Sequence, residues 1–330
     1  MAIPRIILVG TVGLFAVIGA AGAVKKIFYS PKAPKTAVMA PTQTIVPAQI
    51  IVKAPAIAPA PVKPALSVSQ VDRIQQLFTT GANKLPIVET ITYSSQVPWL
   101  KGRPAWVGDY AAHFATSRHF IARSLNGKAD YFTQKVCPGS KFNVFRKDKN
   151  FQFYLLVDVA TSKMSFYYLD LDTNERVLLK TYTVGLGKKA ATPSGTLTPL
   201  GKYLLGDKIA VYKPGVMGLF QEKEIEMIRV FGTRWLPFGK EVGAGKVNAL
   251  VNIKGYGIHG APWAPSKQEG KWTELRQVVG QYESDGCIRL SHEDIEELFA
   301  IVVTRPTTVE IVKNIKDAKL AGVEVNSPKR

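Results

Sequence analysis

The chain has 330 residues, 46% of them hydrophobic, which is enough for a sizeable core and a second folded unit. Its net charge of +18 is unevenly spread: residues 1–66 hold seven Lys or Arg and no acid, whereas residues 151–330 are nearly balanced at 24 basic against 20 acidic. There is no zinc-finger spacing, no RNP-like run and no basic helix beside a heptad. The excess therefore points to an anionic envelope polymer or a membrane surface rather than to nucleic acid. Two cysteines, Cys137 and Cys287, exclude a disulfide scaffold, and Cys137 reads as a structural thiol.

Residues 1–30 contain the uncharged run Ile6–Val24, flanked by Arg5 and by Lys25 and Lys26. At 1.5 Å per residue a helix there spans close to the roughly 30 Å of a bilayer core, so a single transmembrane anchor is expected. The small residues Ala21, Gly22 and Ala23 support the competing reading of a cleaved signal peptide. Residues 31–66, rich in Pro and Ala, form a semi-rigid spacer.

Residues 67–149 read as a small mixed α/β or helical accessory region without a legible function. Val71, Ile74 and Phe78 mark a short amphipathic turn. Asp109 is placed as the N-cap of one helix carrying Tyr110, Phe114, Ser117, Ile121 and Leu125 at helical spacing, with Gly127 as its stop. The aromatic residues are expected in a core. His113 and His119, six apart, do not share a helical face, so no metal site is expected.

Residues 150–315 switch to short runs rich in β-branched and aromatic residues: Phe153 to Val159, Met164 to Asp170, Val177 to Val184, Lys202 to Tyr212, Ala249 to Gly260 and Thr308 to Lys313. They predict a mainly β fold, a sandwich or barrel. One helix stands out, with Ser291 as N-cap, Glu293 and Asp294 in its first turn, an apolar stripe of Ile295, Leu298, Phe299, Val302 and Val303, and Pro306 after its stop. Residues 316–330 form a basic tail.

Two residues carry candidate chemistry. Cys287 follows Gly286 in SDGCIRL, where glycine permits tight geometry and leaves amide groups open for an oxyanion. A thiol of ordinary pKa about 8.5 is a weak nucleophile near neutrality unless a base takes its proton. His259, at the end of a predicted strand in GYGIHGAPW, can serve as that base.

At these residues the chain resembles the L,D-transpeptidases of the YkuD family. HGAPW at 259–263, SDGCIRL at 284–290, FYLLVDVATSKMSFYYLD and VGLGKKAATPSGTLTPLGKYLL occur in the family's order over roughly residues 150–313. The resemblance implies a YkuD-like β-sandwich with one or two helices and a Cys287 nucleophile. It also implies a His259 base oriented by the carbonyl of Gly260, and an oxyanion site at the backbone of Gly286 and Cys287. Ser284, Asp285, Arg289, Trp263 and Tyr256 are candidate substrate contacts; no metal or other cofactor is expected. The implied reaction is acyl transfer on peptidoglycan stem peptides through a Cys thioester, at the periplasmic face of the inner membrane. Water as acceptor gives an L,D-carboxypeptidase instead. A non-catalytic wall-binding module keeps the fold without needing the Cys–His pair. A zinc hydrolase using Cys287, His259 and His292 lacks paired ligand spacing, and a papain-like peptidase has its cysteine before its histidine.

Two departures from the family are visible. Asp285 stands where the family usually has His, and the connection from His259 to Ser284 is long, as if a lid were inserted.

Overall fold

The computed structural model describes residues 71–126, 135–207, 209–243, 253–267 and 270–326. The expected anchor, the Pro/Ala spacer, Gly127 and the end of the basic tail lie outside them. No helix among the described residues is long and apolar enough to cross a membrane.

The described residues are mainly β. Strands β1 (Val88–Thr92) and β2 (Lys141–Phe145) pair antiparallel. β3 (Phe151–Asp158), β4 (Lys163–Asp170) and β5 (Glu175–Thr183) form an antiparallel meander, followed by the short β6 (Leu186–Gly187), β7 (Gly201–Leu205) and β8 (Ala210–Val211). A hairpin of β9 (Met217–Phe220) and β10 (Lys223–Glu226) precedes β11 (Arg234–Glu241) and β12 (Gly257–Gly260). A second hairpin, β13 (Trp263–Pro265) with β14 (Trp272–Glu274), leads to β15 (Tyr282–Ser284), β16 (Ile288–Leu290), β17 (Thr307–Val312) and β18 (Val323–Glu324). The main sheet runs β16-β12-β11-β7-β17-β3-β4-β5-β18, with β8 paired to β11.

Ile258, Ile288 and Leu290 at one end of this path and Val177, Leu179 and Tyr182 near the other bury in the same core. The sheet therefore curls over one apolar interior. Long strands bury both faces: β17 is buried at every position and β3 at all but Gln152. This explains why they read as continuous apolar runs.

The helix His292–Val302 forms as expected. Ser291 caps it, its Oγ accepting from the Asp294 N–H at 3.2 Å, and Ile295, Leu298, Phe299 and Val302 are buried. The single helix expected from Asp109 is in fact two, Val107–His113 and Arg118–Asn126. Ala115 takes a positive φ of 45°, and Ser117 restarts the chain by accepting the Phe120 N–H at 2.9 Å. Asp109 is not the N-cap; it sits in the first turn and accepts the Trp106 N–H at 2.8 Å. The expected strand Lys202 to Tyr212 is divided into β7 and β8, both laid on β11. That expected from Ala249 is confined, among the described residues, to β12.

The accessory residues Ile74, Leu77, Phe78, Phe120 and Phe145 pack in the same core as Phe151, Phe153 and Phe166. The apolar interior is thus continuous across residue 150.

Candidate active site

β12 and β16 run parallel, with Ile258 opposite Ile288, His259 opposite Arg289 and Gly260 opposite Leu290. Because successive side chains alternate faces, the core positions Ile258, Ile288 and Leu290 send His259 and Arg289 to the other face. Cys287 immediately precedes β16, and its sulfur is hydrogen-bonded by the backbone of Gly257, the first residue of β12.

The imidazole of His259 is 2% exposed. Its Nδ1 lies 2.8 Å from the carbonyl oxygen of Gly260. A carbonyl can only accept, so Nδ1 carries the hydrogen and Nε2 keeps its lone pair. Phe231 meets the ring edge to face at 5.4 Å and Trp235 tilts against it at 5.9 Å. This apolar enclosure, aided by the charge of Arg289, holds the imidazole pKa down at about 3, against the pull of the Gly260 and Phe231 carbonyls.

Burial likewise pushes the Cys287 thiol up to about 11, opposed by a hydrogen bond from the Gly257 backbone and by Arg289, while Asp285 adds to the rise. The thiol donates toward the carbonyl of Gly255 at 3.6 Å. Both groups are therefore neutral at rest, the thiol protonated and the imidazole unprotonated.

The turn before Cys287 is held by Ser284. Its Oγ donates to the Cys287 carbonyl at 2.6 Å and accepts the Gly286 N–H at 3.1 Å. The Ser284 hydroxyl is thus engaged within the turn, and the Gly286 N–H is donated to it. Gly286 has φ 119°, and a Cβ there would stand 2.3 Å from the ring of Tyr256 and 2.7 Å from the Leu197 carbonyl. Tyr256 is thereby placed against the turn before Cys287, and burial, then Cys287 and Asp285, raise its pKa.

Arg289 is half-buried beside Cys287, its own pKa lowered chiefly by burial. Trp263 sets its ring edge to face with that of His292 at 5.1 Å. His292 points its Nδ1 to Thr233 Oγ1 at 3.3 Å rather than toward the thiol. The long connection is a hairpin folded onto the helix His292–Val302, with Glu274 accepting the His292 N–H at 2.6 Å. Cys137, expected to be structural, is an exposed free thiol. Its segment offers a turn, Ser140 N–H to the Cys137 carbonyl, but no apolar enclosure.

Sequence reasoning missed Lys188, whose Nζ lies 2.8 Å from Asp285 Oδ1, and the aromatic wall of Phe231 and Trp235 around His259. The Lys188-Lys189 pair sat inside a quoted motif, but a short basic run carries no sign of what it faces.

Residues 152–311 match the family YkuD, described as the L,D-transpeptidase catalytic domain. No curated protein matches the chain. Among solved structures it is similar to Bd1075 of Bdellovibrio bacteriovorus, at 15% identity over 49% of this chain and 48% of that one, TM-score 0.32. It is also similar to the helical cell shape determining protein Pgp2 of Campylobacter jejuni, at 14% identity over 52% and 50%, TM-score 0.32. L,D-transpeptidase 3 of Mycobacterium tuberculosis is similar at 10% identity over 53% and 76%, TM-score 0.25. The matched region spans about half the length of the first two. Residues 152–311 thus carry a YkuD-type domain, as the resemblance in the sequence implied.

Proposed function

We propose that the chain is a cysteine acyltransferase of the cell envelope, an L,D-transpeptidase that cross-links peptidoglycan stem peptides. What supports this reading is the parallel pairing of β12, which holds His259, with β16, which begins directly after Cys287, together with the 2.8 Å contact of His259 Nδ1 with the Gly260 carbonyl and the match of residues 152–311 to the YkuD family. Nε2 of the neutral imidazole takes the thiol proton as Sγ attacks the carbonyl of an amide joining an L-centre to a D-residue. The amide N–H of Cys287 faces the developing oxyanion, and the terminal D-amino acid leaves with the proton from His259. An amine of a second stem resolves the thioester. The uncharged run Ile6–Val24 supports tethering to the inner membrane with the catalytic domain in the periplasm.

Incubation of the protein with a disaccharide-tetrapeptide, followed by mass spectrometry, is expected to give a cross-linked dimer and free D-amino acid. Cys287→Ala removes one sulfur atom and little core volume, so it is expected to stay folded and lose turnover by at least about a thousandfold, as loss of a nucleophile does. Turnover retained in that variant refutes the mechanism. Hydrolysed tripeptide as the sole product assigns water as the acceptor.

A further inference from the structure

Asp285 interrupts the nucleophile turn with a charge the turn does not use. The Gly286 N–H, which an Asp beside Gly often caps, is taken by Ser284 Oγ instead. The Asp285 carboxylate meets Lys188 Nζ at 2.8 Å, with the two side chains 66% and 52% exposed. Their backbones, by contrast, are fixed. The Lys188 N–H donates to the Ser284 carbonyl at 2.8 Å, and Gly187 lies so close to Gly286 that a Cβ on it would stand 3.0 Å from the Gly286 Cα. Two opposite charges thus project into solvent from rigid positions beside Cys287. An exposed ion pair of this kind contributes little to stability, so opening it for a ligand costs little. The field of Asp285 also reaches the thiol and the Tyr256 hydroxyl, since it adds to the upward shift of both.

We infer that the Lys188–Asp285 pair is the acceptor subsite, opening to receive a group that carries an ammonium and a carboxylate on one carbon, the amino-acid end of the second substrate. This rests on the transferase reading above. Asp285 takes the ammonium and Lys188 the carboxylate, so each charge exchanges one partner for another. Transfer then requires the ammonium to lose a proton to solvent. The free amine lone pair attacks the thioester carbonyl, the C–N bond forms, the C–S bond breaks, and the second nitrogen proton passes to Cys287 Sγ. An acceptor lacking the carboxylate leaves Lys188 unanswered.

The test uses the full chain, acylated by a disaccharide-tetrapeptide, with D-methionine or D-methioninamide as competing acceptors. The readout is the ratio of aminolysed to hydrolysed product, from which any change in acylation rate divides out. The unaltered protein is expected to favour D-methionine over its amide at equal free-amine concentration. Lys188→Met is expected to reduce that preference about twofold to fivefold, the range of an exposed ion pair. Asp285→Asn is expected to lower the aminolysis ratio by a similar factor with both acceptors. Unchanged ratios in either variant, with the acyl adduct on Cys287 still formed, overturn the subsite and leave the transferase reading standing. Absence of any adduct in the unaltered protein overturns both.

Discussion

Cys287 and His259, the two residues proposed to react, both rest in their neutral forms. Burial costs the charged state of each: it drives the His259 pKa down to about 3 and the Cys287 pKa up to about 11, so a preformed thiolate–imidazolium pair is the disfavoured arrangement. In the proposed mechanism, proton transfer then accompanies attack rather than preceding it. The imidazole can accept a proton wherever it is unprotonated, which with a folded pKa of about 3 extends well below the usual histidine range. Acylation of Cys287 by the disaccharide-tetrapeptide, followed by intact mass, is accordingly expected to show no acid limb near pH 6.5. Alkylation of Cys287 by iodoacetamide should rise with pH toward about 11. An acid limb centred near pH 6.5, or labelling that plateaus below pH 9, contradicts this resting state. A second residue-scale consequence concerns the turn. Gly286→Ala puts a Cβ at φ 119° and 2.3 Å from the Tyr256 ring, whereas Ser284→Ala removes two hydrogen bonds and leaves the space. The serine variant is expected to lose roughly 1–3 kcal/mol of stability, the cost of unpaired buried groups, and the glycine variant to lose acylation even where it folds. Urea denaturation and adduct formation check the two; wild-type acylation in Gly286→Ala counts against a turn held rigid for catalysis. Cys287 and His259 could be proposed from the sequence because their chemistry and their motifs coincide on single residues. The committed hydroxyl of Ser284 and the partner of Asp285 were not, because each depends on a contact made only when the turn closes.

Elements were most legible where local chemistry and tertiary demand agree. The helix His292–Val302 has its cap, its acidic first turn and its apolar stripe in one stretch of chain, and all three are used. Ser291 both accepts the Asp294 N–H and donates to Asp294 Oδ2 at 2.7 Å, directly after the strand that follows Cys287. Ser291→Ala is expected to cost about 1 kcal/mol, recovered in large part by Ser291→Asp, which can also accept from the first turn. A urea midpoint that does not move in the alanine variant removes the cap from the account. The division of the accessory helix was not legible, because no Gly or Pro marks Ala115. The break follows from Ser117, whose hydroxyl donates to the Ala300 carbonyl at 2.6 Å, a contact 183 residues away. Likewise the apolar run from Lys202 breaks after β7, where the Gly206 N–H turns to the Pro237 carbonyl on β11. Periodicity identified the material of each element, and distant partners set its ends.

At the scale of the molecule, the sequence suggested a change of character near residue 150, since strand-rich chain follows mixed chain there. Composition records what a segment is made of but not what it packs against, and the packing crosses that point. Phe145 stacks obliquely with Phe120 at 4.6 Å and meets Phe151 and Phe153 at 5.4 and 5.8 Å. Asn143, fully buried, donates to the Leu77 and Thr79 carbonyls at 2.9 and 2.6 Å, which ties the first described helix to β2. Arg73 reaches across to the Leu178 carbonyl on β5 at 2.6 Å. A fragment beginning at residue 150 would expose the apolar faces of Phe151 and Phe153 and lose the partner of the Ala300 carbonyl. Each large apolar side chain returned to water costs roughly 1.5–3 kcal/mol, so uncovering a few of them approaches the whole stability of a typical domain. Residues 150–330 are therefore expected to be insoluble or to unfold without cooperativity, while residues 67–330 give a single cooperative transition. Circular dichroism during thermal unfolding of the two fragments distinguishes these outcomes. A shorter fragment with the same midpoint, still acylated at Cys287, would show that residues 71–149 rest on the catalytic domain without supporting it.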